Sequence, residues 1–276
     1  MDNKNSILLV DPEFDLNTAA DCDLLLKITP DSISYAIIDK SCRQLKAVYD
    51  EQECGHVPEK LAARLKNDVY LTLPFNEIKA AVYTENTINI PNELYDPVQL
   101  NQYARFFTDD QSNNLYTRPF ARFGFTSIFS LQQFTEDTLT ASLKNCRLYT
   151  QNAPVLALAS QKDKTVLLLD FTATSFNALY TIEDKLIFQN YYQIDNAEEF
   201  NYYLLLIISQ MNINTSLTEV HLSGIIHAGD DSFQCIEKYF NTISFTLPPV
   251  KEIDHKILDD MPAHYYSSLL ALDLCE

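Results

Sequence analysis

The sequence predicts an α/β protein made of two similar halves, each a mixed sheet with helices in the order β-β-β-α-β-α-β-α. Three observations carry that expectation. The chain holds two three-stranded meanders whose first strands, Leu24-Leu25-Leu26-Lys27 and Leu167-Leu168-Leu169-Asp170, match at a spacing of 143 positions. Asp31-Ser32-Ile33-Ser34 then falls against Thr174-Ser175-Phe176-Asn177. Each meander is followed by a helix with an acidic first turn, and further strands and helices alternate after it.

Residues 1–20 contain one apolar patch, Ile7 to Val10, before Asp11-Pro12, which predicts an edge strand or a loosely held arm. The first meander runs through Leu24–Ile28, Ser32–Ile38 and Gln44–Tyr49, turning around Asp39-Lys40-Ser41. Val57 to Lys66 reads as a helix, with Pro58 early and apolar residues at helical spacing. Lys79–Tyr83 and Thr87–Ile90 read as strands, then a helix from about Pro97 to Phe107, strand material from Tyr116 to Leu131, and a helix from about Gln132 to Asn145. The halves divide near Thr150 to Pro154, giving expected domains over 1–150 and 151–276.

The second meander occupies Lys164 to Ile194, with its hairpin turn at Glu183-Asp184-Lys185. A helix from Ala197 to about Ser209 is apolar almost all round, as expected of a helix packed between a sheet and other structure. Then come a strand over Glu219–Ile226, a helix from about Ser232 to Phe240, a strand over Ile243–Leu247 stopped by Pro248-Pro249, and a helix from about Ala263 to Leu272.

Composition excludes several classes of function. A formal net charge of −18 without a Lys/Arg cluster opposes binding to a phosphate backbone, so nucleic acid is not an expected partner. No apolar run approaches the ~20 residues of a membrane span, and the N-terminal patch is too short for a signal peptide, which makes the cytoplasm the expected compartment. The 6 cysteines show no Cys-x-x-Cys pair or metal-ligand spacing. The chain carries 4 glycines, where average usage predicts about 19. Neither G-x-G-x-x-G nor G-x-x-x-x-G-K-[ST] can be drawn from them.

Other chemistry is sparse. His221, His227, Asp230 and Asp231 are metal-ligating types close in sequence, but a strand histidine followed by a polar loop is the preferred reading, and no metal is expected. G-x-S-x-G is missing, and Cys146 has no neighbouring histidine. The 16 tyrosines and 16 phenylalanines are expected mainly in the core, with some tyrosines left for a partner surface.

The repeated order resembles the actin-like ATPase fold, a pair of ribonuclease H-like domains facing each other across a cleft. More closely, the chain is similar to an uncharacterised bacterial family of that fold through LLLKITPDSISYAIID (Leu24–Asp39), INIPNELYDP (Ile88–Pro97) and VLLLDFTATSFNALY (Val166–Tyr180). Actin-like assembly proteins of pili and secretion systems are more distant look-alikes. The resemblance implies Asp-x-Gly at the end of each first strand to hold phosphate and metal. The chain instead has Asp170-Phe171-Thr172 and Lys27-Ile28-Thr29. The Gly-Gly pair of the adenosine-side loop is reduced to Ser223-Gly224-Ile225. These departures imply a degenerate ATPase: a non-catalytic binding or scaffold protein with no cofactor, holding an unidentified protein partner in the interdomain cleft or on an outer sheet edge. The alternative is a divergent ATP-binding protein or weak ATPase in which Asp170, Thr172 and Ser175, with Gly224 on the adenosine side, hold Mg-ATP.

Overall fold

Short apolar runs in the first eighty-two residues supply five of the six strands of one sheet. In the computed structural model, which describes residues 5–107, 114–162, 165–183, 185–248 and 253–275, the chain divides into compact units Met1–Ala153 and Pro154–Glu276. Residues 1–4 of the N-terminal arm, Lys164, Asp184 of the second hairpin turn and Pro249 lie outside the described residues.

The first unit opens with β1 (Ser6–Val10), β2 (Cys22–Ile28), β3 (Ile33–Asp39) and β4 (Gln44–Glu51), then α1 (Val57–Asn67) and β5 (Glu77–Val82). An excursion follows, comprising β6 (Thr87–Pro91), α2 (Leu100–Tyr103), β7 (Tyr116–Phe120) and β8 (Phe125–Phe129). The unit closes with α3 (Gln133–Ser142) and β9 (Arg147–Thr150), and α4 (Ala153–Ala159) starts at the boundary. The main sheet has the order β1-β4-β3-β2-β5-β9, whereas β6, β8 and β7 form a separate small sheet. The N-terminal patch is thus an edge strand, antiparallel to β4.

Leu24, Leu26, Ile33, Tyr35 and Ile37 point to one face of the sheet, where α1 and α3 cover them with Leu61, Leu65 and Leu139. Each such leucine taken out of water stabilises the unit by about 2 kcal/mol. The stretch from Pro97 to Phe107 departs from the single helix expected of it, breaking into short turns around α2. None of its helical residues is buried, and Val98 is 91% exposed. Without an apolar face to pack, little offsets the cost of nucleating and extending a helix there.

The second unit continues with β10 (Val166–Phe171), β11 (Ser175–Ile182), β12 (Lys185–Gln193), α5 (Ala197–Gln210), β13 (Glu219–Gly224), α6 (Asp231–Glu237), β14 (Ile243–Phe245) and α7 (Ser267–Ala271). Its sheet order is β12-β11-β10-β13-β14, with β10, β13 and β14 parallel. Asn196 caps α5 by accepting from the Glu199 backbone N–H at 2.9 Å, and Glu199 reaches back to the N–H of Asp195. α5 is more one-sided than its sequence predicts. Phe200, Leu204 and Ile207 enter the core, while Tyr202 and Leu205 remain 62% and 41% exposed.

The duplication extends to irregular features. The β3–β4 ladder shifts register between Ile37 and Ile38, and the β11–β12 ladder shifts between Tyr180 and Thr181, again 143 positions on. A shared bulge is a stronger sign of a common scaffold than shared alternation, because a bulge is a local device rather than a default of strand pairing.

Candidate functional site

The structure brings all four candidate residues of the second unit to one end of β10. Asp170 lies near the end of a strand buried on both faces and is itself only 3% exposed. Parallel pairing places Ser223 of β13 directly beside it, and the Ser223 hydroxyl donates to Asp170 Oδ1 at 2.7 Å. The chain then turns. The Thr172 N–H donates to the Ser175 carbonyl at 2.9 Å, and the two side-chain hydroxyls lie 2.5 Å apart.

Gly224 has a specific structural reason. Its φ is +80°, and a Cβ there would stand 2.0 Å from the carbonyl oxygen of Phe171. The next N–H, of Ile225, donates to that same oxygen at 3.0 Å. From the other side, the Gly224 N–H donates to the His264 carbonyl at 3.1 Å, and His264 Nε2 lies 2.6 Å from the Ile226 carbonyl. Burial lowers the His264 pKa, so its ring is held neutral, donating from Nε2 and stacked on Phe245 at 4.1 Å.

The first unit repeats the turn with different charge. The Thr29 N–H donates to the Ser32 carbonyl at 3.0 Å, and their hydroxyls lie 2.6 Å apart. Thr29 also donates to Asp31 Oδ1 at 2.6 Å. Lys27 occupies the place of Asp170, and cross-strand register sets Lys27, Ser34 and Asp50 in one row on one face of the sheet. Burial pushes the Asp50 carboxyl up to about 6, opposed by a 2.7 Å hydrogen bond from Gln52 and by the charge of Lys27. Val82 holds the position beside Ile28 that Gly224 holds beside Phe171.

A further polar cluster was not singled out in the sequence. Glu51, at the end of β4, accepts from Lys60 at 3.0 Å, from Arg64 Nη2 at 2.9 Å and from the Tyr49 hydroxyl at 2.8 Å. Burial alone would raise the Glu51 pKa, but these hydrogen bonds outweigh it and lower it. Arg64 stacks over Tyr49 at 4.1 Å and also reaches Asp68. Glu51, Lys60, Arg64 and Asp68, together with Ala63 and Asn67, line a pocket of about 320 Å³. The signal available in the sequence was the i, i+4 pair Lys60 and Arg64 on a helix just after a strand ending in Glu51.

The histidines go to separate partners. His221 Nδ1 lies 2.9 Å from the Ser244 hydroxyl, whereas His227 faces Tyr265. Among the described residues no group of three or more His, Cys, Asp or Glu is placed to hold a metal ion. All six cysteines are free thiols, and burial pushes those of Cys22 and Cys54 up to about 11. Among the described residues no helix is long and apolar enough to cross a membrane.

Two copies of a β-β-β-α-β-α-β-α unit, the first with β1 added and the β6–β8 excursion inserted, joined in one chain and sharing a bulge and a Thr-x-x-Ser turn, define a protein of the actin-like ATPase fold. A Bacteroides thetaiotaomicron VPI-5482 protein described as having an actin-like ATPase fold and unknown function is similar over 95% of this chain and 99% of its own, at 16% identity and TM-score 0.75. The chain belongs to the family described as "Protein of unknown function (DUF3822)", which matches residues 11–243. Also similar in fold are a chain of the PilM–PilN type IV pilus biogenesis complex (13% identity, 91% and 97% covered, TM-score 0.56) and the ethanolamine utilization protein EutJ from Carboxydothermus hydrogenoformans (7%, 97% and 93%, 0.52). None of the curated proteins matches the sequence.

Proposed function

We propose that this chain is a cytoplasmic, non-catalytic binding or scaffold protein on a degenerate actin-like ATPase fold. One observation supports that reading most directly. The groups that the resemblance assigns to metal and phosphate are hydrogen-bonded within the protein: Asp170 accepts from Ser223, and Thr172 bonds Ser175. Gly224 serves close packing against Phe171 rather than leaving room for a ligand beside it.

A metal-bound triphosphate would compete with these contacts, of which a hydrogen bond to a charged group is worth about 1.5–3 kcal/mol. The PilM–PilN complex supports the reading to the extent that the same fold occurs there with a partner protein. The alternative, a weak ATPase using Asp170, is favoured only by the gathering of Asp170, Thr172, Ser175 and Gly224 at one strand end. A phosphate-release assay with Mg-ATP separates the two readings. No release above the buffer rate is expected, and release lost in Asp170→Asn would establish the alternative.

A further inference from the structure

The two units differ in how their sheets end. In the first, the outer strand of the meander, β4, is covered along its edge by β1, which pairs antiparallel from Ser6 opposite Glu51 to Val10 opposite Ala47. All but the first residue of β4 is buried. In the second, the equivalent strand β12 ends the sheet, and no strand of the described residues lies beyond it. Not one of its residues is fully buried, and Ile187 is 44% exposed. A nine-residue strand with no strand paired to its outer side among the described residues, and with apolar side chains, is a template for another strand.

The repeat shows what that edge accepts. Ile37 faces Ala47, which faces Val10; the equivalent Tyr180 faces Phe188, whose outer neighbour is missing among the described residues. Four residues further along β12, α5 supplies an aromatic shelf: Tyr203 lies 4.6 Å from Tyr192, and the exposed Tyr202 lies 5.4 Å from Tyr203. Val10 packs on the first core in the position a guest side chain opposite Phe188 would take on the second.

Charge selects among guests. Glu183 precedes β12, Asp195 follows it, and Glu198 opens α5, while the strand itself carries only Lys185. With a net charge of −18, a second copy of this chain would bring like charges to these ends. We propose that the outer edge of β12 binds an extended apolar segment of a partner protein flanked by lysine or arginine, adding it antiparallel as β1 is added to β4. This inference rests on the binding-protein reading and names the surface and the chemistry of the partner.

The test uses the full chain, labelled with nitrogen-15, and a synthetic peptide carrying the Ser6–Val10 sequence between paired lysines. Saturable amide shifts confined to β12 and the start of α5 are expected. Affinity should fall about tenfold or more when the peptide's lysines become glutamates, and be lost when alternate peptide nitrogens are methylated. Ile187→Lys, at an exposed position, should weaken binding without changing the melting temperature. Unperturbed β12 amides at millimolar peptide would overturn the proposal, as would a dimer in sedimentation that Ile187→Lys abolishes. Neither result bears on phosphate release, so the two proposals fall separately.

Discussion

The Ser223 hydroxyl donates to Asp170 across the parallel β10–β13 ladder at 2.7 Å, in a place where both residues are buried. The carboxylate that the repeat sets against Lys27 is therefore engaged by the strand beside it. Removing the donor leaves a buried carboxylate oxygen short of a partner, and the cost exceeds that of an ordinary surface hydrogen bond. Ser223→Ala should destabilise the chain by about 1–3 kcal/mol in urea unfolding. A double-mutant cycle with Asp170→Asn should show a coupling of about 1 kcal/mol, and strictly additive changes would contradict the pairing.

Gly224→Ala should be among the most damaging single substitutions in the second unit. The new Cβ would collide with backbone, the Phe171 carbonyl, and the residue would have to hold a φ of +80°. A loss of about 3 kcal/mol or more is expected, read as a lower melting temperature or insoluble product. A melting temperature like that of the parent chain would show that the strands can separate at little cost.

The paired turns predict paired responses. Thr29→Val and Thr172→Val each remove a hydroxyl bonded to a serine three residues on, at nearly constant volume. Each should lose about 1–2 kcal/mol. Thr29→Val should lose more, because Thr29 also donates to Asp31. Equal or reversed losses would contradict that assignment.

Asp50 makes stability depend on pH in an unusual direction. Its carboxyl is raised from 3.8 to about 6, chiefly by burial, so the folded chain holds the proton more tightly than the unfolded one. The associated stability is fully present below about pH 4 and is lost as pH rises towards about 6. Asp50→Asn should therefore gain on the parent chain across that window, by an amount on the order of 1–3 kcal/mol, with a constant difference above it. Chemical unfolding of both chains at several pH values measures this. A difference that does not change between pH 4 and 6 would refute it.

Much of the fold was legible because its signals are local. The short apolar runs in Leu24–Ile28 and Ile33–Asp39, and again in Val166–Phe171 and Ser175–Ile182, need no partner to be seen. The place of Asp170 was legible through the repeat, since position alone set it against Lys27. What Asp170 bonds was not. Ser223 lies 53 residues away and reaches it only through parallel register, which no local pattern encodes. The same limit hid the Glu51, Lys60 and Arg64 cluster, where a strand end meets a helix face. Around Pro97–Phe107 and in α5, apolar content suggested more packing than occurs, because periodicity shows a face but not what covers it.

The strand-end groups are either closed on one another or available to a nucleotide. The melting temperature of the parent chain and of Asp170→Asn, each with and without millimolar Mg-ATP, tests this most directly, since any ligand that prefers the folded state must raise it. No change on adding Mg-ATP is predicted for either chain. A rise of several degrees in the parent chain that disappears in Asp170→Asn would contradict the account.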